Sequence, residues 1–439
     1  MTITVSAIAL SCKLAAEVLL EALNRGSVRQ AKANPPATAE AVMGRSRFQE
    51  SLEYTLAKSR FGTLEMLVST SWLLLFLLTG WLGGLHNAIS AWLGYGPWGQ
   101  GLTFFLVLGI FSLISLPLNW YETFRLEERF GFNKSSLGLW LMDLVKGMIL
   151  SVLLGVPLLT LIFYLTEVFS ESWWILGWGV FFGFQLLMVI AYPMFILPLF
   201  NKLRPLEEGS LRERLFDLAR RTNFKAASIQ VMDGSRRSAH SNAFFSGFGK
   251  FRRIVLYDTL MEQLKDDEIE AVLAHEIGHW RKGHIPKTLL LFGFGSLAVF
   301  YGLFLLAGWP GFVESFGFVG AGASEVEDQG LAVVAPALML VGLLAGAFTF
   351  WLSPLMNGLS RKHEYEADAF ARDALGSALP MTSALRKIYR ENLGNLVPHR
   401  LYSAVHYSHP TLLEREAALL SESEKAEAGD GPSQITSER

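Results

Sequence analysis

The sequence predicts a mainly α-helical chain that crosses a membrane seven times and carries an α+β unit on its cytoplasmic side. Three observations lead there. Of 439 residues, 51% are hydrophobic, 13% aromatic and only 18% charged, a balance too apolar for a protein whose whole surface meets water. Seven stretches are long and apolar enough to cross a bilayer. Between the fifth and the sixth, residues 199–285 change to the mixed pattern of a globular fold, and that segment holds His275-Glu276-x-x-His279.

The apolar stretches are 3–23, 63–86, 101–118, 140–166, 172–198, 286–308 and 330–352. Each supplies roughly the 20 helical residues that ~30 Å of hydrocarbon requires. The first carries Lys13, Glu17 and Glu21 four residues apart, which puts all three on one face and predicts that this face meets protein or water rather than lipid. Its one lysine lies mid-segment and no small-x-small cleavage site follows, so it is expected to be a retained span rather than a signal peptide.

Lys and Arg gather in the short loops on the cytoplasmic side. Residues 24–62 contain Arg25, Arg29, Lys32, Arg45, Arg47, Lys58 and Arg60, and 119–139 contain Arg125, Arg129 and Lys134. The alternate connections, 87–100, 167–171 and 309–329, contain no Lys or Arg. Alternation then places the amino terminus outside, and both 199–285 and everything after 352 in the cytoplasm. A formal charge of -2, with no basic stripe interleaved with aromatics, excludes a nucleic-acid partner. One cysteine, Cys12, excludes an internal disulfide and a cysteine metal site, and is expected to be a small buried side chain.

Within the globular segment, 211–222 has helical apolar spacing, Ser228–Met232 reads as a strand, and 241–246 with Arg253–Tyr257 reads as a hairpin around the turn 247–250. The acidic run before the H-E-x-x-H motif predicts a helix start, with Asp267 and Glu270 spaced as a capping box. On that helix His275 and His279 stand one turn apart on one face, as two neutral imidazole ligands do, while Glu276 is placed as general base. The alternative is a pair of ordinary histidines on a solvated face, with Glu276 and Arg281 pairing nearby. A strand ahead of such a helix, here Asn242, Ala243, Phe244 and Phe245, is where metalloproteases often pair an extended peptide; a hairpin that serves packing alone is the other reading.

Beyond the seventh span, Glu364 and Asp368 lie four apart on a predicted helix. One carboxylate then supplies the third metal ligand while the other holds a ligand imidazole from behind. Glu366 is rotated off this face and is expected at the surface, and His363 ranks below Glu364 as a ligand. His406, His409 and Arg415 bring cations near a last helix over 411–420, where a cation stabilises an oxyanion; His406 also reads as a packed histidine. From 421 to 439 the Ser/Glu/Gly-rich composition predicts disorder.

Taken together, His275-Glu276-x-x-His279-Trp280, Glu364-Tyr365-x-Ala367-Asp368, the phrase HYSHP at 406–410 and SNAFFSGFGKFRRIVLYDTL at 241–260 resemble the type I CAAX prenyl endopeptidases, integral-membrane zinc metalloproteases. Tyr121-Glu122-Thr123-Phe124 with 127–133, and 198–202, look similar too, so the likeness covers roughly residues 10–420. The resemblance implies seven long helices forming a barrel around a water-filled chamber, with one zinc per chain held by His275, His279 and Glu364. It further implies Glu276 as base, His409 and Arg415 near substrate or transition state, and the strand at Asn242 to Phe245 holding substrate extended.

The expected organisation is membrane helices one to five over 1–198, a catalytic insert over 199–285, helices six and seven over 286–352, a catalytic continuation over 353–420 and a tail over 421–439. The expected activity is zinc-dependent cleavage near the carboxyl terminus of prenylated CAAX-type or other membrane-associated peptide or protein substrates, in contact with membrane lipids. Two rivals remain: a membrane quality-control metalloprotease, against which seven spans argue, and a seven-span transporter or receptor with an incidental H-E-x-x-H. The tail ending Thr436-Ser437-Glu438-Arg439 shows no lysine-based retrieval signal, which favours a bacterial inner membrane over the endoplasmic reticulum.

Overall fold

The computed structural model describes residues 2–224, 228–246, 253–309, 311–318 and 329–429. They form two compact units, each assembled from separated stretches of chain: Met1–Ala22, Ala57–Phe200 and Pro286–Ser353 in the first, Leu23–Leu56, Asn201–Ile285 and Pro354–Arg439 in the second.

The first unit is helical. Among the described residues, six helices are long and apolar enough to cross a membrane: Thr2–Ala33, Arg45–Thr79, Leu137–Val168, Trp173–Phe200, His284–Ala307 and Gly330–Leu375. Pro97–Ser112 and Ser115–Glu127, bent by 49° at a short break, make a seventh when counted as one span. Each predicted span therefore has its helix, but the limits differ. The second stops at Thr79, because Gly80 takes φ +72, a left-handed conformation that ends a helix, and Trp81–Leu93 is a separate helix. Residues 24–62 and 119–127, expected as loops, are largely helical, since Ala, Glu, Arg and Gln propagate a helix in water as readily as Leu does in lipid. In Trp173–Phe200 the turn Tyr192–Ile196 is π-helical, which absorbs the hydrogen bond that Pro193 cannot donate.

The polar face of the first helix is buried within this unit. Lys13 pairs with Glu17 at 2.7 Å, and Glu21 accepts a short hydrogen bond from Ser59. Lys58 reaches Glu122 at 3.1 Å and Glu127 at 2.9 Å, both on a π-helical turn. Pairing inside the unit is what allows charged side chains on membrane helices. Leu153, Phe195 and Phe294 point outward instead, as lipid contact requires. Cys12 is exposed, against the expectation of burial: its helix has a wide lipid-facing side on which a small apolar thiol costs little.

The second unit is α+β. Strands β1 (Leu203–Pro205), β2 (Ser228–Met232), β3 (Ala243–Ser246) and β4 (Arg253–Tyr257) form one sheet in the order β1-β2-β4-β3. β2 and β4 are parallel, and the other two pairings are antiparallel. The expected β3–β4 hairpin is present; its turn at 247–252 lies outside the described residues. Three-residue β1 carried no readable alternation. Ile254, Val255 and Leu256 on β4 are almost fully buried, and Ile254 and Leu256 pack with Leu215 and Leu218 of helix Ser210–Arg221 and with Ile269, Leu273 and Ile277 of helix Asp266–Arg281. At about 1.5–3 kcal/mol for each large aliphatic side chain, this layer fixes the motif helix against the sheet. The last helix runs Leu412–Gly429, so 421–429, expected as disordered tail, continues a helix, and 430–439 lie outside the described residues.

Candidate metal centre

The motif helix starts at Asp266, and its orphan amides are met differently from the sequence expectation. Glu268 accepts from the Lys265 N–H at 2.7 Å and is gripped by Lys387 and Ser383, each at 2.6 Å. Burial raises the Glu268 pKa, but Lys387, Ser383 and that backbone N–H outweigh it and hold the carboxyl below its ordinary value. Glu270, expected as the box partner of Asp267, instead binds Arg214 at 2.6 Å and Arg221 at 3.0 Å across to helix Ser210–Arg221.

Three donors converge one turn further on. His275 Nε2 and His279 Nε2 lie 3.1 Å apart, with Glu364 Oε2 at 3.5 Å from the first and Oε1 at 3.3 Å from the second. All three ligand atoms fall within 4.8 Å of one another. Glu364 Oε2 is buried without a hydrogen-bond partner, and although the Arg415 guanidinium stands 3.4 Å away, a cation held at this point would satisfy the oxygen directly. Two imidazoles and one carboxylate, with remaining positions open, are the donor set of a catalytic zinc site. The residues fit such an ion.

Glu364 reaches this point because two helices approach closely. A Cβ on Gly278 would stand 3.0 Å from both the Cα and the carbonyl oxygen of Ala367, so glycine lets helix Asp266–Arg281 lie against helix Ser353–Leu375. Across that contact His275 Nδ1–H donates to Asp368 Oδ1 at 2.8 Å. That bond leaves the His275 Nε2 lone pair facing Glu364 and His279. Burial alone pushes His275 down, but the Asp368 and Glu364 carboxylates raise it to about 9, and a metal ion at the three ligands competes with that proton.

Arg415, in the first turn of the last helix, is buried and donates to Asp368 from Nε at 2.7 Å and from Nη2 at 2.5 Å; its Nη1 lies 3.4 Å from Glu364 Oε2. His409 Nε2 stands 3.4 Å from Glu364 Oε1, yet 60% of its side chain is exposed. A cavity of about 500 Å³ opens over the ligands. Glu276, His406, His409, Asn242 and Ala243 line it, and Leu260, Val272, Met381, Leu385 and Ile388 give it an apolar wall. Of the expected strand residues, Asn242 and Ala243 thus face the ligands, while the Phe244 ring packs edge-on against Tyr257 and only the backbone of Phe245 is described. The His406 ring also packs against Tyr402 at 4.5 Å between centroids, tilted by 39°.

Several residues escaped sequence reasoning. Asn392 accepts from the Ser241 N–H at 3.1 Å and donates to its carbonyl at 3.3 Å, which pins the chain entering β3. Glu366, expected at the surface, is half-buried and 3.0 Å from His284 Nε2, and His284 Nδ1 is 2.9 Å from His279 Nδ1. His363 is buried with its ring stacked on His284. The nearness of His284 to His279 in sequence is a signal for this cluster; the position of Glu366 is not, because it lies off the helix face that Glu364 and Asp368 share.

Comparison with known proteins agrees along the chain. Residues 25–202 match the family model "CAAX prenyl protease N-terminal, five membrane helices", and residues 205–423 match the model for peptidase family M48. The "CAAX prenyl protease 1 homolog" of Arabidopsis thaliana is 36% identical over 407 residues, 89% of this chain and 92% of that one. "CAAX prenyl protease 1" of Saccharomyces cerevisiae is 35% identical over 415 residues, 89% of each. The crystal structure of Ste24p from S. mikatae superposes with a TM-score of 0.87 at 31% identity, covering 95% of this chain and 99% of that one.

Proposed function

Because the chain belongs to peptidase family M48 and is a membrane metalloendopeptidase, we propose that its metal is zinc, one ion per chain, and that it cuts peptide bonds near the carboxyl terminus of prenylated CAAX-type or other membrane-associated substrates. His275, His279 and Glu364 are the proposed ligands, with Asp368 orienting His275. The observation that carries this reading is the convergence of these three ligand atoms at the floor of a cavity that Glu276 also lines.

When bound, such an ion supplies Lewis acidity, which polarises a carbonyl and makes water acidic enough to lose a proton near neutral pH. Glu276 accepts the proton of the attacking water and delivers it to the leaving amine. His409, on the open side of the cavity, donates to the developing oxyanion, and Arg415 contributes positive charge from the buried side. The substrate lies extended along β3, the sheet's terminal strand. Asn242 O accepts from the Tyr257 N–H, and the alternation of an antiparallel ladder then turns the Ala243 carbonyl and the Phe245 backbone groups away from β4, toward the side on which a peptide would pair, while the Ala243 N–H is held by Asn242 Oδ1 at 2.8 Å. Apolar side chains of the substrate fill the wall of Leu260, Val272 and Met381. The names of the relatives support the lipid-modified substrate.

The Lys and Arg content of 24–62 and 119–139 supports a cytoplasmic catalytic unit. Purified protein offered a farnesylated CAAX peptide, the same peptide without lipid, and a misfolded membrane protein tests the substrate. Chelator-sensitive cleavage of the farnesylated peptide in preference to the others is the expected result. Preference for the misfolded protein turns the reading to quality control, and no chelator-sensitive cleavage removes it.

A further inference from the structure

We propose that His284 and Glu366 form a relay that fixes the tautomer of His279 and so presents its Nε2 lone pair to the metal, making both positioning residues for the centre; this rests on the metal assignment above. His284 Nε2 lies 3.0 Å from Glu366 Oε2, and an ionised carboxylate only accepts, so Nε2 carries the hydrogen. The neutral His284 ring then has its lone pair on Nδ1. That atom is 2.9 Å from His279 Nδ1, which must be the donor in the pair. His279 is thereby left with an unprotonated Nε2, the atom that faces His275 Nε2 and Glu364. The result matches what Asp368 does directly to His275, with one imidazole inserted between carboxylate and ligand.

The surroundings hold the relay in place. His284 is only 4% exposed, and the His363 ring lies parallel to it at 4.0 Å between centroids and 11° between planes, so the His284 ring has little freedom to turn. Glu366 is 31% exposed, and Lys362 stands 3.9 Å from its other oxygen, a solvated contact worth little. A carboxylate behind a histidine also makes the ligand more basic, and loss of such partners typically weakens metal binding about 10- to 100-fold.

The test measures zinc affinity by chelator competition and zinc release after transfer to excess chelator, on full-length protein in detergent, with the cobalt(II) absorption spectrum as a second readout. Glu366→Leu and His284→Phe are expected to weaken zinc by about 10- to 100-fold and to shift the cobalt spectrum. Glu366→Gln, whose amide oxygen still accepts from Nε2–H but without charge, is expected to lie between wild type and Glu366→Leu. Lys362→Met is expected to change nothing. Wild-type zinc affinity and cobalt spectrum in both Glu366 variants overturn the relay while leaving the metal assignment intact. A wild-type protein that takes up no zinc overturns both.

Discussion

Arg415 and Asp368 meet in a two-point contact, Nε to Oδ2 at 2.7 Å and Nη2 to Oδ1 at 2.5 Å, and the same Oδ1 accepts from His275. One carboxylate thus joins the last helix to the motif helix. Arg415 is 5% exposed and Asp368 2%, so each is the other's main compensation for leaving water. Arg415→Met leaves the buried Asp368 carboxylate with the His275 hydrogen bond but without its guanidinium, and should cost about 3–5 kcal/mol of stability. Asp368→Asn combined with Arg415→Met should recover part of that loss. Purely additive effects of the two substitutions on the denaturation midpoint would contradict the pairing.

Glu276 and His279 separate chemistry from metal binding. Glu276→Gln should reduce cleavage about 10²- to 10⁴-fold with zinc content unchanged, since it removes the proposed base and none of the proposed ligands. His279→Ala should instead empty the site. Metal analysis beside a peptide-cleavage assay distinguishes the two, and a Glu276→Gln protein of full activity, free of contaminating protease, ends the proposed mechanism.

Gly278→Ala sets two effects against each other. Alanine in a helix interior gains about 1 kcal/mol over glycine, but the new Cβ stands 3.0 Å from backbone atoms of Ala367, which cannot rotate away. Overpacking of this kind costs about 1–3 kcal/mol and should win. The expected outcome is a less stable protein with weaker zinc binding, because the His275–Asp368 hydrogen bond spans the same contact. A rise in melting temperature would show that the helices part freely.

Glu268 predicts a pH dependence away from the metal. A carboxyl held low in the folded state contributes stability that is complete above its unfolded pKa, about 4.3, and disappears as pH falls through the lower folded value. Glu268→Gln should therefore be less stable than wild type at neutral pH, with the gap closing below about pH 4. Lys387→Met should reproduce the neutral-pH loss. A gap that stays constant from pH 7 to pH 3 would argue that the carboxylate's charge is not what Lys387 recognises.

Much of this was legible in the sequence, because two of its signals are local. Apolar runs of about 20 residues report lipid contact directly, and the spacing of His275 to His279 and of Glu364 to Asp368 reports a helix face. Helix limits were less legible: charge in 24–62 marks water, not loss of helix, and nothing short of the Gly80 backbone shows that the second span ends at Thr79. Distant pairings were invisible for a different reason. That Glu270 binds Arg214 and Arg221 rather than capping its own helix, and that Glu366 sits behind His284, depends on which elements the fold brings together.

The clamp on Asp368 also sets a time at which the centre can be complete. Arg415 follows His275 by 140 positions, and two membrane spans lie between them, so a ribosome has released the H-E-x-x-H helix long before it makes the guanidinium that neutralises Asp368. A nascent chain stalled before that point carries the motif without its counter-charge. The three-way contact among His275, Asp368 and Arg415 can therefore form only after both intervening spans and the helix that carries Arg415 have been made.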